Sequence, residues 1–133
     1  MAKPFPLSMF PNPYFADVTL VEARLSPTEL DIITSDSEWG LESDVVFFYG
    51  PGVMTFTYTG APRLRWRNDS DRDYTYVDSA EPLEHVSSLD LISRSKEGWI
   101  FRFRAEQRRI VEVILPKMVR IQWSGDGEDL ETE

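Results

Sequence analysis

From Asp17 onward, apolar and polar residues follow a period of two. Thr19, Val21, Ala23 and Leu25 fall on one side and Val18, Leu20, Glu22 and Arg24 on the other. Successive side chains of extended backbone point to opposite faces, so this spacing predicts a strand over 17–25. Ser26, Pro27 and Thr28 are turn residues, and a second strand over 29–34 is expected to pair back as a hairpin. The polar stretch 35–43, around Trp39 and Gly40, reads as a loop. An apolar run over 45–49, the turn-like Gly50, Pro51 and Gly52, and an alternating segment over 53–59 read as a second hairpin, with Met54, Phe56 and Tyr58 on one face.

Gly60, Ala61 and Pro62 break that ladder, and 63–67 resumes it with Leu64 and Trp66 inward and Arg63, Arg65 and Arg67 outward. Residues 68–73 form an acidic turn, followed by a short strand over 74–77. The last third reads as a meander over 86–93, 99–104, 110–115 and 118–123, with Val119, Ile121 and Trp123 sharing a face. The helix candidates are confined to a short turn near 81–88 and the 35–42 stretch, and neither has a 3.6-residue apolar stripe. Eight or nine short strands with frequent turn signals predict an all-β fold, an antiparallel sandwich or partly open barrel. Residues 1–16, with prolines at 4, 6, 11 and 13 among Phe5, Leu7, Met9, Phe10, Tyr14 and Phe15, form a proline-rich aromatic arm expected to lie extended against the domain or a partner. Residues 17–124 form the single domain, and 125–133 an acidic tail with one aliphatic residue, expected to be disordered.

Composition narrows the chemistry. The 133 residues hold 14 Lys+Arg against 23 Asp+Glu, a net charge of −9, with no Cys and one His. Disulfides, thiolate chemistry and multi-histidine centres are thereby excluded. No apolar run is long enough to span a membrane, and the proline-broken start lacks the apolar core of a secretory signal, so a cytoplasmic location is expected. Charge is uneven: 1–62 carry 2 basic and 8 acidic residues, 63–123 carry 12 and 10, and 124–133 carry five acids. A field of this sign repels nucleic acid and favours a basic protein partner.

Several constellations invite chemistry, each with a plain structural counterpart. Arg63, Arg65 and Arg67 share a strand face, where Arg102 and Arg104 could widen an anion patch; the same guanidiniums could equally pair with carboxylates of neighbouring strands. Asp69, Asp71 and Asp73 alternate as in a calcium loop, but Tyr74 and Ala80 stand where such a loop needs Gly and Glu, and Arg72 puts a cation inside the cage. His85 near Ser87, Ser88 and Asp90 lacks a nucleophile elbow. Glu22, Asp31, Asp90 and Glu112 supply carboxylates for an acid and base pair without selecting one. No enzyme activity, metal or cofactor is expected. Trp66, Trp99 and Trp123 fit inward strand positions, whereas Trp39 stands among Asp36, Glu38, Glu42 and Asp44, where an aromatic among acids suits the anchor of a partner-binding surface, with a ring tucked back over the sheet edge as the alternative.

The strand over 17–25 with its hairpin to Ile33, the Phe47, Phe48, Tyr49, Gly50 strand end, and the closing Trp99, Ile100, Phe101, Arg102, Phe103 before Ile110, Val111, Glu112, Val113, Ile114 resemble in layout the small β-rich immunity proteins of bacterial polymorphic toxin systems. That resemblance implies an intracellular inhibitor that binds and blocks a basic toxin or enzyme. Two alternatives stay open at this level. One is a small-ligand-binding barrel with Tyr49, Tyr58, Tyr74 and Tyr76 at its mouth; the other is an assembly protein whose aromatic arm docks on a neighbouring copy, giving a homo-oligomer.

Overall fold

Period-two patterning does produce an all-β molecule. The computed structural model describes residues 2–5, 18–40 and 47–125, with side chains placed over 20–34 and 51–125. Among the described residues are eleven strands: β1 (Ala2–Phe5), β2 (Val18–Thr19), β3 (Glu22–Leu25), β4 (Glu29–Gly40), β5 (Phe47–Thr59), β6 (Arg63–Asn68), β7 (Thr75–Val77), β8 (Val86–Ser95), β9 (Gly98–Ala105), β10 (Arg109–Leu115) and β11 (Lys117–Gly125). They form two antiparallel sheets, in the orders β1-β11-β5-β4-β3 and β2-β8-β9-β10-β6-β7, which face each other as a sandwich and do not close into a barrel.

The core lies between the sheets. Leu30, Ile32, Met54, Phe56 and Tyr58 of one sheet meet Leu89, Ile92, Phe101, Phe103, Val111 and Val113 of the other, all at most 1% exposed. Phe56 and Phe101 join the layers edge to face, with ring centroids 4.8 Å apart. Tyr58 fits this apolar layer because its hydroxyl donates to the Ser26 carbonyl, and burial raises its pKa. The 3-10 turn Glu81–His85 sets Leu83 into the same core.

β1 and β2 lie in different sheets, and within 18–40 and 47–125 the chain changes sheet three more times. Leu20 N–H bonds to Ser87 O in the six-stranded sheet, while Val21 N–H bonds to Ile33 O in the other. The expected single strand over 17–25 is therefore two strands in different layers, and Val21, expected to share a face with Ala23, is 61% exposed. The other crossings are at 60–62 and at Pro116, so the expected closing meander loses its last strand to the opposite sheet. Gly98 supports that corner: at φ +130° its missing Cβ would stand 2.2 Å from Leu115 O.

Three further expectations are corrected. Residues 35–40 are strand and not loop, because β4 runs on past an irregularity between Thr34 and Ser37 to pair Trp39 with Phe48 and Gly40 with Phe47. Gly50, Pro51 and Gly52 lie inside β5 and make no hairpin turn. A Cβ on Gly52 would meet the Trp123 ring at 2.7 Å, and one on Gly125 would meet Pro51 O at 2.5 Å, so these glycines permit close strand approach. In β11 a bulge between Met118 and Arg120 shifts the phase, burying Met118 and leaving Val119 44% exposed. Residues 2–5 of the N-terminal arm pair with β11, Ala2 opposite Ser124 and Phe5 opposite Ile121; the rest of the arm, 6–16, and the tail beyond Gly125 lie outside the described residues.

Candidate functional site

Three strands build the outer face of the six-stranded sheet. β10 sits between β6 and β9, in a register that sets Glu112 opposite Arg65 on one side and Arg102 on the other. Arg65 reaches Glu112 Oε1 through Nε at 2.8 Å and Nη2 at 2.6 Å, and Arg102 Nε donates to Oε2 at 2.8 Å. Glu112 is 1% exposed and its β10 neighbours on this face, Ile110 and Ile114, are equally covered. Burial pushes the Glu112 carboxyl up, but the hydrogen bonds from Arg102 and Arg65 outweigh it and hold the carboxyl below the ordinary glutamate value. Burial works against the charge on Arg65 and Arg102 as well; their hydrogen bonds to Tyr76 and Glu112, and to Glu112, outweigh it and raise both.

The rest of this face follows the same logic. Arg63 pairs with Glu97 at 2.8 Å and stacks 4.4 Å from the Tyr76 ring. Arg65 lies 4.1 Å over Tyr74. Arg67 Nη1 donates to the carbonyls of Asn68, Asp69 and Asp71, so the acidic turn wraps its backbone oxygens around a guanidinium. Among the described residues, no three His, Asp or Glu side chains gather as a metal site. Arg104 pairs with Asp90. The structure thus brings Arg63, Arg65, Arg67, Arg102 and Arg104 onto one face, each with a protein acceptor.

The other sequence candidates are scattered. Ser88 Oγ donates to Asp90 and Ser87 Oγ to Arg104 O, with no hydrogen bond to His85 among the described residues. Glu22 pairs with Arg24, whose hydrogen bond lowers its carboxyl pKa, while one buried Asp31 oxygen has no partner among the described residues. Tyr58 is in the core, and Tyr74 and Tyr76 lie outside over arginines, so these three share no mouth. Trp99 and Trp123 are buried and Trp66 is half-buried.

Of the partner-binding residues named from sequence, three fall on the described part of the five-stranded sheet. Asp36, Glu38 and Trp39 are on β4, with Glu38 opposite Tyr49; Glu42 and Asp44 lie outside the described residues. As described, β4 ends at Gly40, β5 begins at Phe47 and β11 ends at Gly125, which pairs with Gly52. All these points lie towards the Phe47 end of β5. Over 20–34 and 51–125, 13 acidic residues are matched by 13 basic ones. The net −9 therefore belongs to Asp36, Glu38, Glu42, Asp44 and the five carboxylates of 126–133, since Asp17 and Lys3 cancel.

Arg109 is a residue that the sequence reading missed. Its guanidinium stacks 4.2 Å over the Trp66 ring, and its Nε is buried without a hydrogen-bond partner among the described residues. A groove of about 230 Å³, lined by Pro82, His85, Ala105, Glu106, Gln107 and Arg109, opens beside it. Another, of about 370 Å³ between Leu25, Leu64, Val77 and Asp78, opens at the edge of the sandwich. Among the described residues, no helix is long and apolar enough to cross a membrane. Comparison with protein-family models, curated proteins and solved structures finds no match to this chain.

Proposed function

We propose that the chain is a non-enzymatic binding module that holds a basic protein partner through the carboxylates at one end of its sandwich. The observation that carries this reading is the charge partition: residues 20–34 and 51–125 sum to zero, and the net charge falls to Asp36 and Glu38 on β4, to Glu42 and Asp44, and to the five acids of 126–133, which follow in sequence on strand ends at Gly40 and Gly125 towards one end of the five-stranded sheet. A charge gathered in this way on a neutral body orients an approaching cationic surface and speeds encounter. Trp39, on β4 among these acids, supplies apolar area to desolvate once contact is made. The residues assigned to the contact are Asp36, Glu38, Trp39, Glu42 and Asp44, and the partner chemistry is that of a basic toxin or enzyme, blocked by occupation of a cationic surface.

The test compares the intact chain with a variant carrying Asp36→Asn, Glu38→Gln, Glu42→Gln and Asp44→Asn, both used to recover and then titrate Lys/Arg-rich partners. The intact chain should retain such a partner with an association rate that falls about tenfold or more as salt is raised. The variant should lose most of that rate. Equal, salt-independent association of both proteins with the same partner would overturn the reading.

A further inference from the structure

Four arginines among the described residues are half-buried: Arg65, Arg67, Arg102 and Arg109. Arg65 and Arg102 share Glu112, and Arg67 donates to three carbonyls. Arg109 alone of the four has no acceptor among the described residues. A guanidinium carries five donors and a permanent charge; here Nε is buried without an acceptor and the remaining donors find none among the described residues, which leaves them free for solvent or a ligand. Its register explains why. Arg109 starts β10 on the inward phase, opposite Asn68 and Ala105, and neither is an anion.

What surrounds Arg109 holds it in place. The Trp66 ring supports one face of the guanidinium. The preceding turn puts Gln107 and Arg108 at φ 62° and 57°, two consecutive left-handed residues with neither Gly nor Asn. That turn is tied to its neighbour by the Asp69 N–H, which donates to Arg108 O at 2.8 Å. The groove beside Arg109 adds His85 and the Gln107 amide as further donors, and Glu106 as its single carboxylate.

We propose that Arg109, seated on Trp66 and flanked by Gln107 and His85, binds a small oxyanion group, the carboxylate or phosphate of a ligand, in this groove. The guanidinium supplies a planar fork for two oxygens, stacking keeps it flat, and the groove accommodates a group of a few heavy atoms. This site is separate from the acidic end and rests on none of its residues, so either proposal can fail without the other.

The experiment is an NMR titration of the full chain with sodium phosphate and, separately, sodium acetate, each against sodium chloride at matched ionic strength. It follows the Trp66 indole N–H and the Arg109 Nε–H. The expected result is saturable shifts in the low-millimolar range with at least one of the two oxyanions, the tighter of them identifying the headgroup. Arg109→Gln should weaken binding at least about tenfold, and Arg109→Lys severalfold, since an ammonium keeps the charge but loses the fork and the stacking. The exposed Glu106→Gln, which removes the repelling carboxylate without touching the core, should bind more tightly. Shifts that stay linear or match chloride would overturn the proposal, as would saturation unchanged in Arg109→Gln or weaker binding by Glu106→Gln.

Discussion

Glu112 and Arg109 lie on the same strand, β10, and end up in opposite situations. Glu112 meets an arginine across both of its ladders, and its charge is fully answered within the sheet. Arg109 meets Asn68 and Ala105, and among the described residues its guanidinium has the Trp66 ring against it and no hydrogen-bond acceptor. The difference teaches that a buried charge in a sheet is structural or available according to what the register puts beside it. Residue type and burial alone do not separate the two.

The largest test of this contrast is Glu112→Ala. Removing the carboxylate leaves Arg65 and Arg102 facing each other, Arg65 largely covered at 15% exposure of its side chain. The expected loss is about 3 kcal/mol, read by chemical denaturation. Replacing all three residues by methionine should recover most of that loss, because the desolvation cost goes with the charges. Arg109→Met should change stability far less, having no ion pair to break among the described residues. Equal losses at the two positions would remove the distinction.

A smaller effect follows from protonation. The Glu112 carboxyl is held below the ordinary glutamate value by its arginines, so the folded protein binds this proton less readily than the unfolded chain does. The resulting stabilisation is present above the unfolded pKa of about 4.3 and is lost as pH falls through the lower, folded value. Denaturation midpoints of the parent should therefore fall more steeply below pH ~4.3 than those of the methionine triple variant. Parallel acid profiles would mean that the clasp does not favour the ionised form.

Parts of this contrast can be read from the chain before folding and parts cannot. Arg63, Arg65 and Arg67 alternate with Leu64 and Trp66, which is enough to predict an arginine face, and the pairing of such a face with neighbouring carboxylates needs only one lone acid inside the apolar run 110–115. Arg109 offers no such signal, because what marks it is a missing partner, and partners are a property of register. Register also defeats the reading elsewhere. Gly50, Pro51 and Gly52 have turn composition, yet what they provide is room for Trp123 and Gly125. The bulge at Met118 inverts an alternation that looks regular in the sequence. Asp36, Glu38 and Trp39 read as loop because polar composition does not reveal that β5 continues far enough to pair with them.

The smallest effect concerns the turn that delivers Arg109. Gln107 and Arg108 are both left-handed, a conformation costing a residue with a Cβ about 1–2 kcal/mol. Glycine adopts it freely but loses more entropy on folding, which offsets about 0.5–1 kcal/mol of the relief. Gln107→Gly should therefore stabilise the protein by about 0.5–1 kcal/mol, and a β-branched residue such as Gln107→Val should destabilise it, both measured by thermal unfolding. The direction matters more than the size. Stabilisation by glycine means that the chain tolerates strain here without Gly or Asn while holding Arg109 on Trp66. Destabilisation would mean that the Gln107 side chain supports the fold itself, and the turn would then belong with Glu112 on the structural side of the comparison.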